Sequence, residues 1–322
     1  MRAIAPPRWI GRICALIVLG IAGALLVHDV RGLTGARIAD AILRIPPRAL
    51  LASFILTAAS FLALGFYDVL AVRVVAPMRI VPWLSWLAGF AGNAVANTLG
   101  FHALTGSLVR CRLYRAAKLA LPDVARIISL SWATLGFGFL IVSAAILLFA
   151  PGASSYGRTG GAGLLGALII LLFWLRGGRD MRFAGLSLSL PSARIAAVQM
   201  ALSAMEMGAA IGALYVLMPP AAMPSFAAFS AAYIGAVLLG IVSHAPGGIG
   251  VFEAVMLALA DTNSRAELLA ALLLYRLIYN LLPFFSALLA LAGFEFVTRR
   301  HPSWISDSGG SDPLGANKAL PA

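Results

Sequence analysis

Charge is scarce in this chain. Of 322 residues only 11% are Asp, Glu, Lys or Arg, against about 25% in an ordinary soluble domain. Neither a water-soluble globule of this length nor a disordered chain can be built on so little polar surface. Cysteine is nearly missing: Cys14 and Cys111 are the only two, too few for a disulfide framework, and both read as free thiols. The four histidines, His28, His102, His244 and His301, lack metal-motif spacing, so no metal and no other cofactor is expected. No ATP-binding motif, no Ser-His-Asp set and no His-Glu-x-x-His run is found.

In their place stands apolar sequence: 61% of the residues are hydrophobic and the mean hydropathy is +0.95. This is the composition of an integral membrane protein. Basic residues outnumber acidic ones 24 to 12. In a soluble protein that excess would suggest nucleic acid. In a membrane protein it belongs to cytoplasmic loops facing anionic headgroups, and no nucleic-acid partner is expected.

A spanning helix needs about 20 apolar residues. Candidates lie at 10–27, 49–72, 127–149, 161–175, 195–218, 226–243 and 266–296. The first follows Arg2 and Arg8 and reads as a signal anchor. Two further apolar stretches are broken by polar residues and glycine. One is 83–108, with Asn93, Asn97, Gly100 and His102. The other is 244–260, with Pro246-Gly-Gly-Ile-Gly-Val-Phe-Glu253. If 83–108 crossed the bilayer, Arg110, Arg112, Arg115 and Lys118 would lie outside, so a re-entrant hairpin satisfies the positive-inside rule better. The resulting topology puts 17 basic residues inside and 6 outside. Thr34–Ile45 reads as an amphipathic helix on the outer surface, with Arg37, Asp40 and Arg44 on one face and Ile38, Ile42 and Ile45 on another. The expected fold is all-α and polytopic, with seven or eight spans and one or two re-entrant segments. The membrane domain covers 1–298, followed by a polar, disordered tail over 299–322.

A charge near the bilayer centre costs at least about 2.5–3.5 kcal/mol, so each one is informative. Glu206 sits mid-span, Glu253 in the second broken segment, and Arg276 inside 266–296 between Tyr275 and Tyr279. Asp68 lies near an inner helix end beside Tyr67. These groups could build a polar cavity. Alternatively, Glu206 could pair with Arg276 to hold helices together, and Arg73 could satisfy Asp68. Gly247, Gly248 and Gly250 free backbone N–H groups at the start of a half-helix, where the dipole favours an anion such as a lipid phosphate. Close helix packing is the other use of these glycines. Gly208-Ala-Ala-Ile-Gly212 predicts a small-residue helix contact.

Several stretches carry a family resemblance. They are Tyr67-Asp68-Val-Leu-Ala-Val-Arg73, then Gly89-Phe-Ala-Gly-Asn93-Ala-Val-Ala-Asn97, then Leu104-Thr-Gly106-Ser-Leu-Val-Arg110-Cys-Arg112-Leu-Tyr114. Later come Ser243-His-Ala-Pro246 through Glu253 and Leu274-Tyr-Arg276-Leu-Ile-Tyr279-Asn-Leu-Leu-Pro283. In order and spacing they resemble the transmembrane domain of the lysylphosphatidylglycerol synthase/flippase family, over about 49–296. The resemblance implies a membrane domain that moves a modified lipid to the outer leaflet. The family's aminoacyl-transferase domain has no counterpart here, so synthase activity is not expected.

Three readings follow. The first is a lipid translocase of the bacterial inner membrane, its partners membrane lipids: an anionic or aminoacylated phospholipid. Its headgroup would meet Asn93, Asn97, Glu206, Glu253 and Arg276, with Gly247–Gly250 and the Arg110–Arg115 loop handling phosphate. The second is a non-transporting subunit that scaffolds a lipid- or glycan-modifying enzyme partner. The third is a membrane enzyme using Asp68, Glu206 or Glu253 as acid or base. Self-association as a homo-oligomer is left open.

Overall fold

The structure, a computed structural model, describes residues 35–100, 102–177, 180–183, 186–219, 225–243, 245–259 and 265–300. The expected first span at 10–27, residue His244 and the tail beyond 300 lie outside these residues. The protein is an all-α polytopic membrane protein. Its helices are α1 (Gly35–Arg44), α2 (Pro47–Val75), α3 (Pro82–Leu99), α4 (His102–Ala116), α5 (Leu121–Phe149) and α6 (Ser155–Trp174). They continue with α7 (Ala193–Tyr215), α8 (Phe226–Ser243), α9 (Val251–Leu259), α10 (Arg265–Tyr275) and α11 (Leu282–Arg300). A small antiparallel hairpin, β1 (Asp180–Phe183) with β2 (Leu186–Ser189), joins α6 to α7. From sequence this stretch is marked only by Arg176, Arg179, Arg182 and Arg194, four of the basic residues placed inside.

Six helices among the described residues are long and apolar enough to cross a membrane, α10 and α11 counting as one continuous helix. Local chemistry sets their starts. Pro47 and Pro82 occupy the first helical positions of α2 and α3, where no N–H bond is lost. Ser154, Ser192 and Ser225 accept backbone N–H bonds at the starts of α6, α7 and α8.

Lipid is as apolar as the helices, so association depends on close packing and hydrogen bonds more than on apolar burial. At the α2–α3 crossing, a Cβ on Gly89 would stand 2.8 Å from the Gly65 carbonyl oxygen, and one on Gly65 would strike the Trp86 indole. Of the expected Gly208–Gly212 contact only half forms. Gly212 meets Leu56, whereas Gly208 meets nothing among the described residues.

α3 and α4 form the hairpin expected over 83–108, turning at Gly100, whose φ is +74°. An ion pair from Arg79, before α3, to Asp123, after α4, shows that the chain returns to the side it left. The second broken stretch behaves likewise. α8 runs inward, a tight turn at Pro246–Gly248 with Gly247 and Gly248 at positive φ reverses the chain, and the nine-residue α9 lies back along α8. α1 packs against α10, with Ile38, Ala41 and Ile42 turned toward the protein and Arg37, Asp40 and Arg44 exposed. At the other end α11 joins the base of the first hairpin, through an Arg112–Glu295 ion pair and a Trp83–Phe294 ring contact. The described chain therefore ends on the same side as the 76–81 and 117–120 loops.

Candidate functional site

The two hairpins reach into the protein from opposite sides, and their tips meet at a fault in the last long helix. Pro283 supplies no N–H and its ring crowds the carbonyl four residues earlier. The turn before it widens into a π-helix over Arg276–Leu281, the usual relief for such a clash and a frequent feature of functional sites. The widened turn presents Asn280 to the α3 tip. Asn280 donates from Nδ2 to the Asn97 carbonyl at 3.0 Å, and its own carbonyl accepts from Thr98 at 3.1 Å. Gly247 closes against the same tip. Its φ is +58°, and a Cβ there would lie 2.6 Å from the Thr98 carbonyl oxygen, so glycine alone fits both the backbone and the space.

Two polar groups lie at this junction and a third stands apart from it. In the first, Glu206 of α7 is 4% exposed. Among the described residues its partners are hydroxyls and no cation. Ser60 donates at 3.0 Å, and Tyr67 and Tyr279 each at 3.3 Å. Ser60 and Tyr279 also lie 2.8 Å apart, so that one of these two hydroxyls can give its proton to the other in place of the carboxyl. Tyr279 stacks on Tyr275, whose hydroxyl meets that of Tyr233 at 2.7 Å. A row of aromatic hydroxyls thus leads away from the carboxyl.

In the second, Arg276 does not reach Glu206. It donates from Nε to Glu253 at 2.7 Å and from Nη1 to the Gly247 carbonyl, and its guanidinium lies 5.3 Å from the Phe252 ring centre. Its Nη2 is buried and has no partner among the described residues. Glu253 turns its other oxygen onto the Gly250 N–H at 2.8 Å, one half of a capping box at the start of α9. The chain's own carboxylate therefore takes the N–H that the sequence reading offered to an external anion.

The third is a buried cluster of Asp68 in α2, Arg110 and Tyr114 in α4 and Ser131 in α5, each at most 2% exposed. Arg110 Nε lies 3.0 Å from both Asp68 oxygens, and Tyr114 and Ser131 donate at 2.8 and 2.7 Å. Arg110, not Arg73, satisfies Asp68. The guanidinium passes between Gly92 and Gly106, where a Cβ on Gly92 would stand 2.9 Å from Nη1.

The sequence-selected residues thus divide. Asn97, Glu206, Gly247, Gly248, Gly250, Glu253, Tyr275, Arg276 and Tyr279 gather at or beside the junction. Asp68, Arg110 and Tyr114 form a separate internal cluster. Arg112 is engaged at the surface with Glu295, and Asn93 bonds within its own helix to the Gly89 carbonyl at 2.8 Å. Arg110–Arg115 is helix rather than loop, and it offers a phosphate no free Arg110. Sequence reasoning passed over Ser60, Tyr233 and Asn280. A signal for Ser60 existed: Ser53, Thr57, Ser60 and Tyr67 fall on one helical stripe of α2, and all four are buried.

No protein-family model matches the chain. It is 30% identical over 263 residues to the Synechocystis protein slr0712, covering 77% of this chain and 80% of that one. It is 30% identical over 255 residues to the inner membrane protein YbhN of Escherichia coli, covering 75% and 78%. A phosphatidylglycerol lysyltransferase of Staphylococcus aureus is 28% identical over 315 residues, which take in 89% of this chain but 35% of that enzyme. At this identity over most of both lengths, the chain belongs to the family of the inner membrane protein YbhN and slr0712.

Proposed function

We propose that the protein is a lipid translocase of the bacterial inner membrane, giving the headgroup of a phospholipid or an aminoacylated lipid a polar path between the leaflets. The observation that carries the reading is Glu206, a carboxyl deep among spanning helices with hydroxyls around it and, among the described residues, no cation. Such a group is costly in lipid and is rarely kept for packing alone. It stands beside two opposed broken hairpins, an arrangement suited to transport because interrupted segments present backbone groups to a solute at mid-membrane. Arg276, with one buried nitrogen unpaired among the described residues, offers a donor to a phosphate oxygen. Similarity to part of a phosphatidylglycerol lysyltransferase favours an anionic or aminoacylated phospholipid as cargo. The test is translocation by the purified protein in liposomes, comparing phosphatidylglycerol, its lysyl form and a neutral lipid.

A second reading rests on the same similarity. The matched segment works there within a chain that is mostly something else, since 35% of the enzyme is covered. This favours a membrane subunit serving a separate lipid- or glycan-modifying enzyme. Stoichiometric copurification of such an enzyme, with no lipid movement by the protein alone, would select it.

A further inference from the structure

On the flank of the polar junction a groove of about 660 Å³ opens between α2, α3 and α11, within the about 300–1,000 Å³ range of ligand sites. Its walls are Phe54, Ala58, Leu62, Trp86, Phe90 and Pro283. Phe54 and Leu62 are 44% and 51% exposed. They sit on a spanning helix, so that exposure faces hydrocarbon, not water. At this depth lipid chains are the only solvent that can fill an apolar groove, and an unfilled one forfeits dispersion contacts along its whole lining.

Two features separate the groove from ordinary lipid-facing surface. Thr57 lines it, is 3% exposed, and its hydroxyl is buried without a hydrogen-bond partner among the described residues. A hydroxyl in that state carries the cost of an unmade bond. The acceptor that arrives with a lipid chain is its ester carbonyl. The second feature is Phe61, which forms the wall between groove and polar junction. Its ring lies 5.9 Å from Phe90 on the groove side and 5.2 Å from Tyr279 on the Glu206 side. The neighbouring Ser60 bonds Glu206 itself. A chain lying in the groove would hold its headgroup at the edge of the Glu206 cluster.

We propose that this groove seats one acyl chain of the lipid being moved, with the Thr57 hydroxyl on its ester carbonyl, so that lipid comes in sideways between α2, α3 and α11. The proposal rests on the translocase reading and assigns it a lateral gate and a lipid with an ester-linked acyl chain.

The test uses the full chain in liposomes with a phosphatidylglycerol carrying a photoactivatable diazirine partway along one acyl chain, adducts being mapped by mass spectrometry. Adducts concentrated on residues 54–62 and 86–90, and competed by unlabelled phosphatidylglycerol, are the expected result. Adducts spread evenly over lipid-facing positions, Ile170 and Leu289 included, would overturn the groove. Ala58→Trp fills the groove from its open side and is expected to remove the groove adducts and the translocation while leaving adducts at Ile170 unchanged. Thr57→Val keeps the shape without the hydroxyl and is expected to weaken competition by unlabelled lipid. The two readings fail separately. Focused adducts in a protein that moves no lipid keep the chain site and remove the translocase. Normal translocation by Ala58→Trp with scattered adducts removes the groove and keeps the translocase.

Discussion

Replacing Arg110 by methionine leaves the Asp68 carboxylate fully buried with only hydroxyls to hold it. Arg110 supplies the one cation in the cluster, 3.0 Å from both carboxylate oxygens, while Tyr114 and Ser131 remain as donors. Breaking a buried pair by removing one partner costs about 3–5 kcal/mol, because the surviving charge is uncompensated. The two remaining hydroxyls put Arg110→Met toward the lower end. That is a large share of the roughly 5–15 kcal/mol a folded protein holds. Asp68→Asn with Arg110→Met removes both charges and is expected to recover most of the loss, a coupling of about 2–3 kcal/mol. The measurement is a double-mutant cycle by denaturant unfolding in detergent micelles, followed by tryptophan fluorescence. The reasoning fails if Arg110→Met costs under about 1 kcal/mol, or if the single losses add within about 0.5 kcal/mol.

Three shorter predictions follow from the geometry. Gly247→Ala places a Cβ 2.6 Å from the Thr98 carbonyl at a φ of +58° and is expected to lower thermal stability and open the junction, read as faster amide exchange over 245–259; unchanged exchange would show that the tips do not meet there. Gly92→Val is expected to displace the Arg110 guanidinium, which would stand 2.9 Å from the new Cβ, and to destabilise about as much as Arg110→Met; a wild-type melting curve would refute the threading. In a chain with Cys111→Ser and Cys14→Ser, cysteines at Arg79 and Lys118 should react with an impermeant thiol reagent from the same face, and one at Arg44 from the opposite face. Labelling of Arg79 and Lys118 positions from different faces would turn the α3–α4 hairpin into a crossing.

What could be read from the sequence was whatever follows from hydropathy and charge along the chain. The six long apolar helices agree with the apolar runs to within a few residues, or six at the start of α5 and α6, although α8 turns back at Pro246–Gly248 instead of completing a crossing. The return of 83–108 was implied by the basic residues after it, and the Arg79–Asp123 pair bears it out. Amphipathic α1 was visible in the spacing of Ile38, Ile42 and Ile45. The pairing of charges was not visible, because it depends on which helices cross. Arg276 meets Glu253, 23 positions away, rather than Glu206. Asp68 takes Arg110 from the returning hairpin rather than Arg73 one turn on. The π-helix was foreshadowed by Pro283, yet a proline can equally kink or end a helix, and only the packing of α3 beneath it selects the outcome. The β hairpin was missed because its apolar-polar alternation is four residues long in each strand, too short to stand out against a basic loop.

Whether Glu206 lies on a lipid path is decided by lipid translocation in proteoliposomes. The wild-type chain is compared with Glu206→Gln, which keeps the shape and the Ser60, Tyr67 and Tyr279 neighbours but removes the charge, and with Arg276→Ala. Movement of one lipid class by the wild type and its loss in both variants, with all three proteins folded, is the expected result. Equal movement by Glu206→Gln, or no movement of any lipid by folded wild-type protein, would contradict it.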